Sequence, residues 1–191
     1  MCCRLTSGAP AHLMLFDFNK HSARMAARER APQRLEERQR DVYESHRHRV
    51  FSLSYYMSGS EMEAEDLLRD TFITAFQQAE EPDQTVVDTA LVDQLGDHML
   101  LEETEFVPVP TSTEFPGRRN IMRADLEEAI RCLPAKERLV FLLMDVEGYP
   151  ASRIAGLLAM PETTVLRTAV IARMRLRHEL ANMREDGCQA A

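Results

Sequence analysis

The chain has 191 residues, with 23 Lys and Arg against 31 Asp and Glu, giving a formal net charge of −8. That length suits one medium domain or two small ones, and 45% hydrophobic content excludes wholesale disorder. Four cysteines exclude a disulfide scaffold, no stretch approaches the ~18 consecutive apolar residues of a membrane span, and the start Met-Cys-Cys-Arg-Leu-Thr-Ser-Gly lacks an apolar signal core. A reduced, cytoplasmic protein without membrane contact is expected.

The charge is unevenly spread. Residues 1–50 carry 10 basic and 6 acidic side chains, residues 51–117 carry 1 and 15, and residues 118–191 carry 12 and 10. Within the middle block, residues 77–114 hold ten acidic side chains and no basic one. Taken alone, −8 counts against a nucleic-acid binder. The asymmetry instead points to separate modules with separate partners.

In chain order, residues 1–12 read as a loose tail and 13–32 as a weak helix, together an N-terminal extension over 1–32. Leu35–Met57 has no Pro or Gly, and Val42, Tyr43, Val50, Phe51, Leu53 and Met57 recur at helical spacing. Ser58-Gly59 ends that helix. Ser60 then starts another, with Glu63 in place for a capping box. Its apolar stripe is Ala64, Leu67, Leu68, Thr71, Phe72, Ala75 and Phe76, and Pro82 terminates it. Thr85–Leu101 is a third predicted helix, with Val86, Ala90, Leu91, Leu95 and Met99 inward and Gly96 weakening it. These elements form a first domain over 33–103. Pro108, Pro110, Pro116 and Gly117 mark a linker over 104–121.

The second domain is predicted over 122–184, with a tail over 185–191. It holds a short helix from Met122 to Cys132, an apolar helix over Glu137–Val146 stopped at Gly148, and a helix over Ala151–Leu158. The turn Ala159-Met160-Pro161 leads into a long helix to Met183. No segment alternates with period two, so the fold class is all-α.

Ala151–Leu176 has the pattern of a helix-turn-helix. Ile154, Ala155 and Leu158 face inward on the first helix, and Val165, Ala169, Ala172 and Leu176 on the second. Such a unit sets the first turns of its second helix into a DNA major groove. Glu162, Thr163, Thr164, Arg167, Thr168 and Ile171 are the candidate contact residues, and Arg173, Arg175 and Arg177 the phosphate contacts. The competing reading is an ordinary three-helix bundle.

Residues 131–177 resemble region 4 of extracytoplasmic-function (ECF) sigma factors. The matching positions are Leu133, Pro134, Arg138, Asp145, Glu147, Gly148, Ile154, Ala155, Leu158, Pro161, Thr164, Val165, Ala172, Arg173 and Leu176. Tyr43–Phe76 resembles sigma region 2, best over Ala64–Phe76. The resemblance implies two small helical domains joined by a Pro-rich linker. It also implies a division of labour. The second helix of region 2 binds core RNA polymerase, the third reads and melts the −10 promoter element, and region 4 reads the −35 element through residues 162–177. Asp66, Leu67, Arg69, Asp70, Phe72 and Phe76 would belong to the polymerase-binding helix, with Arg69 where the family usually has Gln.

The third helix departs from the family. Thr85–Asp97 contains no Trp, Phe or Tyr and no basic residue. It offers bases nothing to stack on, and its carboxylates repel phosphates. Contact with −10 DNA by the usual residues is not expected from it.

Two functions follow. One is an ECF sigma factor directing promoter recognition and transcription initiation, with an anti-sigma factor as a further partner the resemblance allows. The other is a diverged sigma-like regulator that contacts polymerase, an anti-sigma factor or another sigma without melting DNA. A variant has the acidic segment folding over the Arg-bearing helix and mimicking DNA. Neither is an enzyme. The sequence holds no nucleophile elbow, Cys-x-x-Cys or Gly-rich phosphate loop, and no metal or cofactor is expected.

Overall fold

The computed structural model describes residues 13–99 and 121–188, with side chains described over 34–99 and 121–182. Among the described residues every regular element is helical, in agreement with the all-α expectation. The expected tail 1–12 and nearly all of the linker 104–121 lie outside the described residues.

The first helix, α1 (Leu13–Ser58), is continuous where the sequence suggested a weak helix followed by a stronger one, so it runs straight through position 32. It ends at Gly59, whose φ of +75 is a left-handed conformation that glycine adopts without strain. Ser60 caps α2 (Glu61–Gln78) by accepting the Glu63 N–H at 3.4 Å. The capping box is only half formed, because the Ser60 N–H donates to Ser58 Oγ at 3.3 Å instead. Asp83 caps α3 (Gln84–His98), its Oδ1 accepting the Thr85 and Val86 N–H groups at 2.9 Å each. Gly96 is exposed and does not interrupt α3. Val87, Ala90, Leu91 and Leu95 are buried on α3 against the α1 and α2 stripes.

The second unit begins with α4 (Arg123–Arg131) and α5 (Ala135–Phe141). The expected single helix over Glu137–Val146 is divided, because α5 widens into a π-helical turn over Leu142–Val146 with Leu142 and Leu143 buried. Gly148 (φ +71) then turns the chain toward α6 (Ala151–Leu157) and α7 (Glu162–Cys188). All four residues expected to face inward on α7, Val165, Ala169, Ala172 and Leu176, are buried.

The two units are docked. Helix α1 touches α4 and α5, α3 touches α6, and one contiguous set of buried side chains runs from Val50 to Leu95 and on from Ala129 to Leu176. No single helix among the described residues is long and apolar enough to cross a membrane.

Candidate polymerase and promoter interfaces

On the first unit, an open groove is lined by Tyr43, Glu65, Leu68, Arg69, Phe72, Ile73 and Phe76. The ring of Phe72 anchors it, edge-on to Tyr43 at 4.8 Å and 6.0 Å from Phe76. Of the predicted polymerase contacts, Leu67 and Phe72 are buried, 1% and 4% exposed. They lie on the α2 face turned to the core, which the 3.6-residue period assigns to the stripe they share with Ala64, Thr71 and Ala75. Asp66, Arg69 and Asp70 sit on the outer face as one charge cluster. Arg69 reaches Asp66 at 2.9 Å and Asp70 at 3.0 Å, so the sole basic residue of the middle block is committed within its own helix. Phe76 is half-buried at the groove. Ile73, 49% exposed, was missed in the sequence because it lies at the border of the apolar stripe.

Helix α3 presents Thr85, Asp93, Gly96, Asp97 and His98 outward. Its remaining carboxylate, Asp88, is buried at 2% exposure. There it meets three other side chains. It pairs with Arg49 of α1 and lies 2.7 Å from Arg153 of α6. Tyr149 donates its hydroxyl to Asp88 Oδ2 at 2.7 Å, and accepts from Arg49 at 2.7 Å and Gln84 at 2.9 Å. The Arg153 guanidinium also stacks 4.2 Å over the Tyr149 ring. Burial, and then the hydrogen bond to Asp88, push the Tyr149 hydroxyl above its ordinary pKa. No sequence signal reveals this cluster, since the partners of Asp88 lie 39, 61 and 65 positions away.

The second unit carries the helix-turn-helix. The chain bends by 106° between α6 and α7, within the range of that motif. Met160 N–H donates to Ala155 O at 3.1 Å, closing the turn, and Ala159 takes the left-handed conformation (φ +49). On α7, Glu162, Thr163 and Arg167 face outward, as the contact role requires. Thr164, Thr168 and Ile171 are half-buried against the bundle. Of the three expected phosphate contacts, Arg177 is exposed, while the other two are taken up by carboxylates of their own unit. Arg173 pairs with Asp145 at 2.7 Å and Arg175 with Glu137 at 3.1 Å. Burial raises the Glu137 carboxyl pKa, with Arg175 acting in the opposite direction. The exposed stripe of α7 is instead apolar: Leu166 (49%), Val170 (52%) and Met174 (37%). The acidic α3 thus does not engage Arg173 and Arg175 of the Arg-bearing helix, which pair with Asp145 and Glu137; its Asp88 pairs with Arg153 of α6 instead.

Residues 42–89 match the family description of Sigma-70 region 2, and residues 123–176 that of Sigma-70, region 4. Over 170 residues the chain is 27% identical to the ECF RNA polymerase sigma factor SigE of Mycolicibacterium smegmatis. The chain belongs to the sigma-70 family. The SigE match takes in 79% of this chain and spans 65% of the length of that relative. The fold is also similar to the sigma factor RpoE crystallised with the anti-sigma factor NepR from Bartonella quintana. That likeness has a TM-score of 0.52 and 18% identity, over 78% of this chain and 96% of the other. In sigma-70 terms, α1–α3 carry region 2 and α4–α7 carry region 4.

Proposed function

We propose that this protein is an RNA polymerase sigma factor of the ECF type, a non-enzymatic subunit that directs core polymerase to promoters. One observation carries the reading. A chain whose first unit matches region 2 places, in its second, a helix-turn-helix with a 106° bend and an outward Arg167 on the second turn of α7. That is where a major-groove reader carries its base contacts.

The α2 groove is the polymerase site in this reading. Glu65 and Arg69, the latter held by Asp66 and Asp70, form its charged rim, Phe72, Phe76, Leu68 and Ile73 its apolar floor, and Leu67 holds the helix in place from behind. On region 4, Glu162, Thr163 and Arg167 meet the −35 bases, while Thr164, Thr168 and Ile171 support the helix. Arg173 and Arg175 are pinned by carboxylates and reach phosphates only by exchanging those partners. From Gln84 to Asp97, helix α3 has no Trp, Phe, Tyr, Lys or Arg for −10 contact, and His98 stands alone at its end. An anti-sigma factor is a further partner, supported by the apolar stripe Leu166, Val170 and Met174, which suits a protein surface better than a phosphate backbone.

The test is to mix the purified chain with core RNA polymerase and ask whether the complex binds and opens a promoter. Promoter-specific opening sustains the reading. Polymerase binding without opening replaces it with a regulator that acts by protein contact, and no polymerase binding refutes both.

A further inference from the structure

The outward face of α7 sets apolar side chains beside a single arginine. Val165, Ala169, Ala172 and Leu176 are all buried, so the core stripe fixes how the helix is turned. At 3.6 residues per turn, Thr163, Leu166, Arg167 and Val170 then share an arc of about 100° on the side turned away from that stripe. Thr163 and Arg167 are exposed, and Leu166 and Val170 are 49% and 52% exposed. All four lie in about the first three turns after the 106° bend. That is the part of a helix-turn-helix that enters the major groove.

Further along the helix, Arg173 and Arg175 are occupied by Asp145 and Glu137. Fewer phosphate contacts remain to region 4, so binding must draw more on the floor of the groove. That floor is not uniformly polar. Each thymine places its C5-methyl group there, and apolar side chains read that methyl by contact. An arginine on the same face reads guanine through two hydrogen bonds, to O6 and N7. Leu166 and Val170 stand one helical turn apart, about 6 Å along the axis. Successive bases of a strand lie ~3.4 Å apart. The two side chains therefore reach methyl groups about two base pairs apart, with Arg167 beside them.

We infer that Leu166 and Val170 read thymine methyl groups in the −35 element, beside a guanine read by Arg167. This inference rests on the sigma-factor reading and names the bases that its region 4 site takes. In the free chain both side chains stand half in water. On DNA, side chain and methyl leave water together, which favours association. A cytosine in place of thymine brings no methyl, and its N4 amino group loses water against a hydrocarbon that cannot accept a hydrogen bond. The stripe therefore discriminates by a gain on thymine and a cost on cytosine. It serves an anti-sigma factor only when DNA is absent, since either partner covers it.

The test uses the full chain bound to core RNA polymerase and a promoter pool randomised over the −35 element. The selected element is expected to hold a guanine and two thymines about two base pairs apart. Each thymine is then replaced by deoxyuridine, which lacks only the C5-methyl group. Burying one such group changes affinity by about fourfold, so each replacement is expected to weaken promoter binding by about that factor. In Leu166→Ala one of the two replacements is expected to have no effect, and in Val170→Ala the other. Both side chains lie outside the buried core, so the variants are expected to keep the fold, and thermal melting checks it. Selection of an element without thymines, deoxyuridine bound as tightly as thymine, or the wild-type loss persisting in both variants overturns the inference. Any of these results leaves the stripe as a protein surface while the sigma-factor reading stands. If the complex binds no promoter at all, that reading fails and the inference fails with it.

Discussion

Arg173 of α7 forks onto Asp145. Its Nε lies 3.1 Å from both carboxylate oxygens and its Nη2 2.7 Å from one of them. The hydrogen bond and the carboxylate charge hold the guanidinium pKa above its ordinary value. A residue that sequence assigns to phosphate is thereby occupied within its own domain, while Arg167 points outward.

The first prediction follows from that contrast. Each phosphate contact contributes about 0.9 to the slope of log affinity against log salt. Arg167→Ala is expected to lower the salt slope of promoter binding by the polymerase complex by about one such contact. Arg173→Ala is expected to leave the slope unchanged and to cost at most about 1 kcal/mol of stability, as a partly exposed pair does. Salt titrations of both variants check this, and equal slope losses would place Arg173 on DNA.

At the α2 groove, Ile73 is half-exposed and outside the buried core. Ile73→Asp is expected to weaken core polymerase binding at least tenfold, or about 1.4 kcal/mol. Stability should change by no more than about 0.5 kcal/mol, as is usual for a surface substitution. Competition binding together with thermal melting separates the two effects, and undiminished affinity would move the polymerase site elsewhere.

Glu137 supplies a pH prediction. Its pKa is raised in the folded protein by burial, against the lowering effect of Arg175. The folded state then binds the proton more tightly than the unfolded chain. The contribution of this group is fully present below the unfolded carboxyl pKa and is lost as pH rises through the raised folded value. Glu137→Gln, which never ionises, should therefore gain stability relative to wild type between mildly acidic and neutral pH. Urea melts at about pH 4 and about pH 7 check the sign. A variant that loses ground as pH rises would show that Arg175 outweighs burial.

Gly148 isolates a backbone effect. A Cβ there would meet nothing within 4 Å, yet φ is +71. Gly148→Ala is expected to cost about 1–2 kcal/mol through left-handed strain alone. Chemical denaturation measures it. A neutral result would mean that the turn before Tyr149 relaxes freely.

Much of this architecture is legible in the sequence because it is periodic and local. The α2 stripe, the Pro82 break, the cap at Ser60 and the inward set Val165, Ala169, Ala172 and Leu176 each follow from residues within a few turns of one another. Only part of the candidate site was legible. Asp66, Arg69 and Asp70, and Glu162, Thr163 and Arg167, lie on outer faces as expected. The fates of Arg173 and Arg175 were hidden, because Asp145 and Glu137 sit on a different helix.

The sequence by itself determined the helical class, the order of the two sigma regions and the acidity of the third helix, since these depend on composition and short-range pattern. Tertiary structure alone decided where that acidity acts. Asp88 is one of ten carboxylates in residues 77–114, and nothing in its neighbours distinguishes it. It becomes the junction of the two units because folding brings Arg49, Tyr149 and Arg153 around it. A buried charge is stable only where such partners converge in space.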